Sequence, residues 1–412
     1  MSRKIRCGVL GAGRGVALAM GAKANGMEVA AMCDLDTGLL RRANERLGGQ
    51  CRLYDDYGAM LRADIDAVLL ANYATEHAGA AIRALAAGKH VMSECMACFT
   101  MAEAVALVEA VERSGRVYML AENYPFIVQN IELKRLFETG KYGKFVYGEG
   151  EYVHPIPARE MATLYTGEKH WRAWLASPYY CTHSMAPIME ITGTRPVRVS
   201  GFAFPYDAGD EQMALSLRVS DPGCVLMCAM DNEAVVKLLP WTMLRDHGQR
   251  YRICCAKGTL EWNQGDGRVR VRTEAFDFPD EKEHFHYYDA TLPPEFAEAA
   301  RHGHGGGDYF TSLHFAEAIE TGIIAPRLDV YNAVDMTVIG IQGYRSILNQ
   351  SAPMEIPDFH DPAMREKYRH DHWNHDPARR APGMPLPSVR GEIRVTEAAR
   401  KLFAEERAKI EG

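Results

Sequence analysis

The residues that most directly indicate chemistry stand near the start of the chain, in residues 5–17 (IRCGVLGAGRGVA), followed by Asp34. An apolar run ends in Gly11, Gly13 and Gly15, and a helical pattern comes next. Glycines let a backbone approach a pyrophosphate closely, and the N-terminus of a helix offers it free N–H groups. Asp34 ends a second apolar run about 20 residues further on, where a carboxylate can bind the hydroxyls of an adenosine ribose. The pattern therefore predicts a dinucleotide-binding turn, and the acid predicts NAD rather than NADP.

Two features of this segment leave alternatives open. The position of the third glycine in the usual fingerprint holds Val16, and Arg14 lies inside the turn. A structural glycine turn in another α/β fold is the competing interpretation. Arg41 and Arg42 lie close to the acid in the sequence, and basic side chains there suit the 2′-phosphate of NADP.

The size and composition of the chain exclude several classes of protein. Its 412 residues exceed one ordinary core, which predicts two domains. The net charge of −7 argues against nucleic acid as the main partner, and no apolar run reaches the length of a membrane span. No signal peptide is expected, because the first strand begins at Ile5. The ten scattered cysteines are typical of reduced thiols, so we expect a cytoplasmic protein. We expect its partner to be a small molecule rather than a membrane or a nucleic acid.

The first part of the chain alternates short apolar runs with helical patterns. The predicted strands span residues 7–10, 29–32, 65–70, 90–92 and 117–120, and the predicted helices span residues 76–87 and 100–114. Strands that alternate with helices form a parallel, doubly wound sheet, so residues 1–121 are predicted to be an N-terminal Rossmann dinucleotide-binding domain. Cofactor and substrate then bind at the carboxyl ends of the strands.

A different pattern predicts a C-terminal α/β domain with a mainly antiparallel sheet over residues 122–350. Its predicted elements are a helix at 125–139, strands at 145–153, 197–204, 213–219, 225–230, 250–255 and 268–273, and helices at 308–320 and 330–349. Residues 351–412 are polar and proline-rich, with a helix predicted at 395–410. We expect this tail to pack on a neighbouring subunit of a homo-oligomer (a dimer or tetramer) or to be mobile, with His370, His372 and His375 in solvent.

The order of these parts resembles the glucose–fructose oxidoreductase / inositol dehydrogenase / MocA-like (Gfo/Idh/MocA) family. Residues 88–94 (GKHVMSE) resemble the strand that leads to the Glu-Lys-Pro signature of that family. The signature reads Glu94, Cys95 and Met96 here, so the usual catalytic lysine of the family is absent. That lysine normally helps to move a hydroxyl proton during hydride transfer. The resemblance implies a Rossmann domain that binds NAD, with Glu94 beside the cofactor.

A narrower resemblance accounts for the missing lysine. Glycoside hydrolase family 109, a branch of retaining NAD-dependent glycosidases, also lacks it, and several short motifs of this chain are similar to that branch. They are residues 74–77 (ATEH), 122–124 (ENY), 151–152 (EY), 170–172 (HWR), 180–183 (YCTH), 304–308 (HGGGD) and 329–331 (DVY). Besides the glycine turn and Asp34, the resemblance implies cofactor contacts from Arg14, Thr75, His77, Glu94, Cys95 and Asn123. It implies site roles for Tyr124, Tyr152, Arg172, Tyr180, His183 and His304.

The chemistry that this resemblance implies needs NAD and bases, but not the paired carboxylates of an ordinary glycosidase. A sugar hydroxyl is oxidised at C3, the ketone acidifies the proton at C2, and the group at C1 leaves by elimination. Water then adds and the hydride returns, so the net redox change is zero. One alternative is an NAD-dependent sugar or cyclitol dehydrogenase, which the missing lysine disfavours. The other is a non-catalytic NAD-binding regulatory protein, which the retained tyrosines and histidines disfavour.

Each candidate in the reacting set also has a structural interpretation. His183 suits a base because imidazole is the side chain commonly used for acid–base chemistry, and the alternative is a capping or buried, hydrogen-bonded histidine. The hydroxyls of Tyr124, Tyr152 and Tyr180 either serve the site or only find a partner in the core. Arg172 binds either sugar hydroxyls or an acid on the surface.

Cys95 and the remaining histidine candidates also have a functional and a structural interpretation. Cys95 is either an activated thiol or, as we expect, a small buried hydrophobe. His302 and His304 share a loop that lies either in the site or in solvent, and His154 is a weaker base candidate. No metal is predicted, although His154, His183 and His304 together have a side-chain type that binds one.

Overall fold

The computed structural model describes residues 3–411. Its N-terminal part is a parallel sheet of six strands flanked by helices. The strands are β1 (Arg6–Leu10), β2 (Glu28–Cys33), β3 (Arg52–Tyr54), β4 (Ala67–Leu70), β5 (His90–Ser93) and β6 (Tyr118–Leu120). The helices are α1 (Gly15–Ala24), α2 (Thr37–Arg46), α3 (Tyr57–Leu61), α4 (His77–Ala86) and α5 (Met101–Ser114). The spatial order β3-β2-β1-β4-β5-β6 is that of a doubly wound Rossmann sheet. The predicted N-terminal fold is confirmed.

The C-terminal part contains a larger, mixed sheet of nine strands. The strands are β7 (Phe145–Val153), β8 (Pro196–Phe204), β9 (Gly223–Met230), β10 (Val235–Thr242), β11 (Gly248–Cys255), β12 (Gly258–Asn263), β13 (Val269–Arg272), β14 (Phe285–Tyr288) and β15 (Met354–Glu355). Their order is β14-β13-β12-β11-β7-β10-β9-β8-β15. All neighbours pair antiparallel except β10 and β7, which pair parallel. The prediction of a mainly antiparallel sheet is therefore confirmed.

The helices after residue 122 include the two that pack most closely against this sheet. They are α6 (Val128–Glu138), α7 (Met161–Leu164), α8 (Trp171–Trp174), α9 (Thr182–Thr192), α10 (Glu211–Ala214), α11 (Gly307–Thr321), α12 (Val330–Leu348), α13 (Pro362–Tyr368) and α14 (Glu397–Glu411). Short 3-10 helices span Ala74–Glu76, Tyr124–Phe126, Ala158–Glu160, Ser177–Tyr180, Pro294–Arg301 and His304–Gly306. Helix α9 lies against β7, and α12 lies against β8. No helix within residues 3–411 combines the length and the apolar character needed to cross a membrane.

One predicted strand is wrong and five observed strands were not predicted. Residues 213–219 do not form a strand, because Asp210 caps α10 by accepting a hydrogen bond from the Met213 N–H at 3.1 Å. The strands β3, β10, β12, β14 and β15 were missed. Pro240 lies inside β10, and proline is unusual within a sheet, which weakens the strand pattern in the sequence. The other four are short or carry charged residues in half-buried positions.

The tail packs on its own chain, which corrects the expectation of mobility, whereas its packing on a neighbouring subunit stays a prediction. Arg365 of α13 donates from its two terminal guanidinium nitrogens to the Glu112 carboxylate, at 2.5 and 2.6 Å. His375 is completely buried, so its predicted place in solvent is wrong, whereas His370 and His372 are exposed. The Nε2 atom of His375 accepts a hydrogen bond from the Ala176 N–H at 2.9 Å. This contact joins the tail to the turn between α8 and α9.

The burial of His375 predicts that the fold loses stability in acid. Burial lowers the pKa of His375 to about 3, whereas the unfolded chain protonates this group near its ordinary value of 6.5. Unfolding therefore takes up a proton between these values, and the free energy of unfolding falls as the pH drops from 6.5 toward 3. Between pH 6.5 and 5.0 this one group should cost about 2 kcal/mol. Urea denaturation at both pH values should show a loss smaller by that amount in His375→Gln, whose amide oxygen can still accept from Ala176. Equal losses in both proteins would contradict the assignment.

Candidate functional site

The glycine turn between β1 and α1 has the form of a cradle for a phosphate group. Gly11 has a φ of 96°, and a Cβ there would lie 2.4 Å from the Ala71 carbonyl oxygen, so only glycine fits. A Cβ at Gly13 would meet nothing within 4 Å, which leaves open space above the turn. A Cβ at Gly15 would lie 2.6 Å from Val9. Gly15 thus provides the close contact between helix and strand that the fingerprint assigns to its third glycine, and this explains why Val16 is tolerated.

Asp34 stands at the end of β2 and borders the same turn. Its Oδ2 accepts a hydrogen bond from the Ala12 N–H at 2.6 Å, and its Oδ1 accepts from the Asp36 N–H at 2.9 Å. Arg41 and Arg42 are exposed on α2. The carboxylate is therefore fixed beside the cradle by backbone donors, in the position where an adenosine ribose would meet it.

Arg14 connects the glycine turn to both parts of the chain. Its guanidinium donates to Glu94 at 2.6 Å and to both carboxylate oxygens of Asp308 at 2.5 and 2.7 Å. Asp308 also accepts from the Asn123 amide at 2.8 Å and pairs with His304 at 3.1 Å. Burial alone would raise the pKa of Asp308, but the hydrogen bonds and charges of Arg14 and His304 hold it far below its usual range. Asp308 therefore stays ionised and joins the HGGGD segment to the cofactor side.

After β4, Thr75 lies in the 3-10 helix Ala74–Glu76 and His77 begins α4, and both are buried. The two ring nitrogens of His77 lie 3.0 Å from the Met96 carbonyl oxygen and 3.1 Å from that of Asn72, and burial lowers the pKa of this histidine. The carbonyl of Thr75 accepts from Arg379 of the tail at 3.2 Å. Both residues thus fasten the loops at the carboxyl edge of the parallel sheet.

The same edge has unsatisfied acceptors that a dinucleotide suits. Within residues 3–411, the buried side-chain oxygens of Asn72 and Asn123 have no hydrogen-bond partner. Buried polar atoms of this kind normally find a partner, so a ligand with donors would stabilise them. Together with the open space above Gly13 and the carboxylate of Asp34, this donor and acceptor set fits NAD.

A buried carboxylate, Glu122, is the centre of the substrate side. It follows β6, has no exposed surface, and accepts from His183 Nδ1 at 2.8 and 3.0 Å. It also accepts from the Cys95 thiol at 3.0 Å and from the Tyr124 N–H at 3.3 Å. Burial alone would raise the pKa of Glu122, but its interaction with His183 and the hydrogen bonds from His183 and Cys95 bring it below its usual value. The carboxylate is therefore ionised and fixes the orientation of the imidazole ring.

Cys95 does not have the environment of a reactive thiolate. Burial, together with the charges of Glu122 and Glu94, raises the pKa of its thiol well above the usual value. The thiol is therefore protonated and serves as a donor to Glu122. This fits the structural interpretation of Cys95 rather than the activated one.

Three tyrosine rings surround His183. The ring centroids of Tyr124, Tyr152 and Tyr180 lie 4.4, 4.7 and 5.1 Å from that of the imidazole. Burial raises the pKa of Tyr180 to about 12, and it also raises those of Tyr124 and Tyr152. All three hydroxyls are therefore neutral at physiological pH and act as proton donors rather than as bases.

An aromatic wall continues outward from the tyrosines. Tyr180 contacts Trp171 and Trp241 at centroid distances of 6.0 and 5.1 Å, and the Arg172 guanidinium lies 4.1 Å from the Trp171 ring. His154 stacks on Tyr152 at 5.6 Å. Flat aromatic faces beside charged and hydroxyl groups are suited to a ligand with apolar faces and polar edges, such as a sugar ring.

The structure therefore brings most of the predicted substrate-side residues together. His183 and the three tyrosines are in direct ring contact, Arg172 joins them through Trp171, and His304 lies 6.0 Å from Tyr124. His302 instead packs on Tyr309, at 5.5 Å.

The three histidines considered for a metal do not converge within the described residues. In residues 3–411 the one group of three ligand-type side chains whose atoms all lie within 4.8 Å of one another is Cys95, Glu122 and His183. Its members come from three distant parts of the chain: the segment after β5, the residue after β6 and the start of α9.

Sequence reasoning missed the two carboxylates that organise the site. Glu122 and Asp308 both belong to motifs noted above, but neither was a predicted site residue. A usable signal existed for Glu122, because an acid directly after a buried parallel strand lies at the binding edge of the sheet. For Asp308 the sequence offers only its place after three glycines, and its partners come from residues 14, 123 and 304.

Two family models match the chain over its two parts. The model described as the oxidoreductase family, NAD-binding Rossmann fold, matches residues 5–122. The model described as glycosyl hydrolase 109, C-terminal domain, matches residues 209–366. The resemblance stated from the sequence is confirmed, and residues 5–122 are an NAD-binding Rossmann domain.

Similar proteins and structures agree with these matches. A glycosyl hydrolase family 109 protein of Saccharopolyspora erythraea is 26% identical over 393 residues, which cover 86% of this chain and 83% of that protein. An alpha-N-acetylgalactosaminidase of Shewanella oneidensis is 23% identical, with coverage of 81% and 80%. The crystal structure of an oxidoreductase domain protein from Kribbella flavida superposes with a TM-score of 0.71 at 19% identity and covers 86% of this chain and all of that one. An inositol dehydrogenase homologue from Azotobacter vinelandii, complexed with NADH and myo-inositol, gives a TM-score of 0.66 at 19% identity, with coverage of 86% and 98%. The last two likenesses show the fold.

The position of Asp34 predicts which dinucleotide the domain prefers. A carboxylate repels the 2′-phosphate of NADP, so Asp34→Ser should improve the binding of NADP relative to NAD by about tenfold or more, which is about 1.4 kcal/mol. The matched control is Asp36→Ser, which removes a nearby charge on the same loop but keeps a side chain that can cap α2. Fluorescence titration of both cofactors measures the ratio. An unchanged ratio in Asp34→Ser, or an equal change in both variants, would contradict this role.

Proposed function

We propose that this chain, which joins an NAD-binding Rossmann domain to a domain that matches the C-terminal part of glycosyl hydrolase family 109, cleaves glycosidic bonds by transient oxidation at C3, elimination, hydration and re-reduction. The observation that carries the proposal is the pair of Glu122 and His183, enclosed by three tyrosines at the carboxyl edge of the parallel sheet. A plain dehydrogenase of this family would have a lysine where this chain has Cys95.

The cofactor side supplies redox chemistry and the chain holds it in place. When bound, NAD accepts a hydride from a sugar carbon and later returns it. We assign its adenosine ribose to Asp34, its pyrophosphate to the turn of Gly11 and Gly13, and its nicotinamide end to Glu94 and Asn123. The unsatisfied amide oxygen of Asn123 supports the last assignment.

His183 acts as the base in this proposal. Its Nδ1 faces Glu122, so Nε2 on the opposite side of the ring is the atom available to a substrate. Nε2 accepts the proton of the sugar hydroxyl as the hydride leaves the same carbon. The ionised Glu122 stabilises the imidazolium that results, and it also keeps the ring in one orientation.

The tyrosines act as donors because their hydroxyls are neutral at physiological pH. The high pKa values of Tyr124, Tyr152 and Tyr180 leave His183 as the base for the C2 proton as well, once its Nε2 has passed the hydroxyl proton to solvent. One tyrosine protonates the departing group at C1, and the tyrosinate that results takes a proton from the water whose hydroxyl adds at C1, while C2 regains a proton from solvent. Arg172 and Trp171 bind the sugar ring, and His304 orders the loop through Asp308.

The reaction class is tested by incubating the purified protein with aryl α- and β-glycosides, with and without added NAD⁺. Because one relative is an alpha-N-acetylgalactosaminidase, the aryl N-acetyl-α-galactosaminide heads the panel. Release of the aryl group without net NADH supports the proposal. Net NADH without release of the aryl group would instead identify a sugar or cyclitol dehydrogenase. Homo-oligomer formation and a cytoplasmic location stay predictions from the sequence.

Replacement of His183 should separate catalysis from stability. His183→Gln and His183→Ala should both lower kcat by roughly 10² or more, as expected when a general base is lost. Only His183→Ala should also lower the melting temperature clearly, since it leaves the buried charge of Glu122 without its main donor. Turnover per folded molecule and thermal melting measure the two effects.

The matched control for this substitution is His375→Gln, the same change at a buried histidine outside the site. It should change stability while turnover per folded molecule stays at the wild-type level. If His183→Gln behaved in the same way, the structural interpretation of His183 would be correct.

The elimination route predicts an isotope label in the product. When cleavage runs in deuterium oxide, the released sugar should carry deuterium at C2, because the proton removed there is replaced from solvent. Proton NMR and mass spectrometry of the sugar measure the label. An ordinary retaining glycosidase acting on the same substrate is the control and leaves C2 unlabelled, since it reacts at C1 alone. Complete cleavage without label at C2 would rule out elimination.

A further inference from the structure

We propose that Cys95, Glu122 and His183 form a binding site for Zn²⁺ or a similar thiophilic divalent cation. The Cys95 sulfur, a Glu122 oxygen and His183 Nδ1 all lie within 4.8 Å of one another, and all three side chains are buried. A thiolate, a carboxylate and an imidazole are the three ligand types that zinc takes in proteins. Three ligands also leave a fourth position open, as in zinc sites that admit a further ligand.

The present hydrogen bonds already aim the three ligand atoms at a common centre. Cys95 donates its thiol proton to one oxygen of Glu122 at 3.0 Å, and His183 Nδ1 lies 2.8 Å from the other. A zinc ion bound at about 2.3 Å from sulfur and about 2.0 Å from nitrogen and oxygen needs these atoms only slightly further apart. The cation would therefore take the place of the shared protons with small movements of the side chains.

The exchange balances in protons and charge. Zn²⁺ binds the sulfur as the thiol releases its proton to solvent, and the proton on Nδ1 of a neutral His183 moves to Nε2. The carboxylate of Glu122 is already ionised. No oxidant, reductant or further reactant is needed.

Solvent reaches the cluster on the side of Cys95 and His183. Cys95 and His183 keep 8% and 7% of their surface exposed, whereas Glu122 keeps none. Cys95 follows Glu94, which we place at the nicotinamide end of NAD, so bound cofactor should cover the cation site. Zinc binding and NAD binding should then compete.

Occupation by zinc has a consequence for activity that rests on the proposed function. If Glu122 and His183 act as the base pair of the reaction, zinc fixes both and inhibits turnover. The binding itself does not depend on that reaction, so the two ideas fail separately. If zinc bound to the site without inhibiting turnover, the proposed catalytic role of Glu122 and His183 would be wrong, whereas the cation site would be confirmed.

The test measures binding directly on the full chain as purified. Isothermal titration with ZnCl₂ should give one site per chain, and titration in buffers of different ionisation enthalpy should show release of about one proton. Co²⁺ should give a thiolate-to-cobalt charge-transfer band. Cys95→Ser should weaken Zn²⁺ binding by more than roughly 100-fold and remove that band, because loss of a ligand exceeds the usual effect of losing an outer partner. Saturating NAD⁺ should weaken the binding of Zn²⁺.

The matched control is Cys98→Ala. Cys98 shares a C-x-x-C spacing with Cys95 and is also buried, but its sulfur is not part of the cluster. It should leave zinc affinity and the cobalt band unchanged. Glu122→Gln serves as a second ligand variant, and thermal melting checks that each variant is folded.

Three outcomes would overturn the proposal. The first is the absence of stoichiometric zinc binding to the wild-type protein. The second is unchanged affinity in both Cys95→Ser and Glu122→Gln, which would place the ion on surface residues. The third is loss of binding in Cys98→Ala with no loss in Cys95→Ser, which would assign the sulfur ligand to the other cysteine.

Discussion

The site depends on one buried charge, the carboxylate of Glu122. An ionised group without contact to water is unfavourable unless donors surround it, and here they come from three separate elements. His183 contributes a ring nitrogen from α9, Cys95 a thiol from the segment after β5, and Tyr124 a backbone N–H. Each donor gains its orientation from the charge that it satisfies. The position of the imidazole ring, and hence of its reactive nitrogen, follows from this arrangement.

Helix α9 can bring His183 to that charge only because β7 lets it approach. A Cβ at Gly150 would lie 1.9 Å from the Ser184 carbonyl oxygen, so any larger residue would push the helix away from the strand. The Tyr251 hydroxyl of β11 donates to the His183 carbonyl at 2.6 Å and holds the start of the helix from the sheet side. The C-terminal sheet therefore acts as the rigid support for a residue that serves the edge of the other sheet.

A second charged network, centred on Asp308, links the segments that flank the site. Asp308 lies on α11 and accepts from Arg14 in the glycine turn and from Asn123 after β6. Its burial makes these contacts specific, because an unpaired carboxylate there would be costly. The tail adds a third connection, since Arg379 reaches the loop after β4 and His375 packs beside α8. Cofactor-side and substrate-side residues are thus held together by pairs that lie far apart in the sequence.

The sequence by itself determined the features that depend on local pattern. Continuous apolar runs between helices predicted the parallel sheet, because strands buried on both faces carry no alternation. The glycine turn and Asp34 predicted the cofactor, since both lie on one βαβ unit and need no distant partner. The resemblance of residues 180–183 to a known motif implied site roles for Tyr180 and His183, and the fold places their ring centroids 5.1 Å apart.

Only the tertiary structure decided how these residues work together. Glu122 and His183 are separated by 61 positions, and Arg14 and Asp308 are separated by 294. No short motif in the sequence therefore predicts either pair. The sequence also did not predict the burial of His375. The polar composition of the tail predicted this residue in solvent, but the fold buries it completely. Burial also sets the chemistry, because it keeps the tyrosine hydroxyls and the Cys95 thiol protonated. Local propensity fixes strands and turns, whereas charge pairing and desolvation depend on which distant segments the folded chain brings into contact.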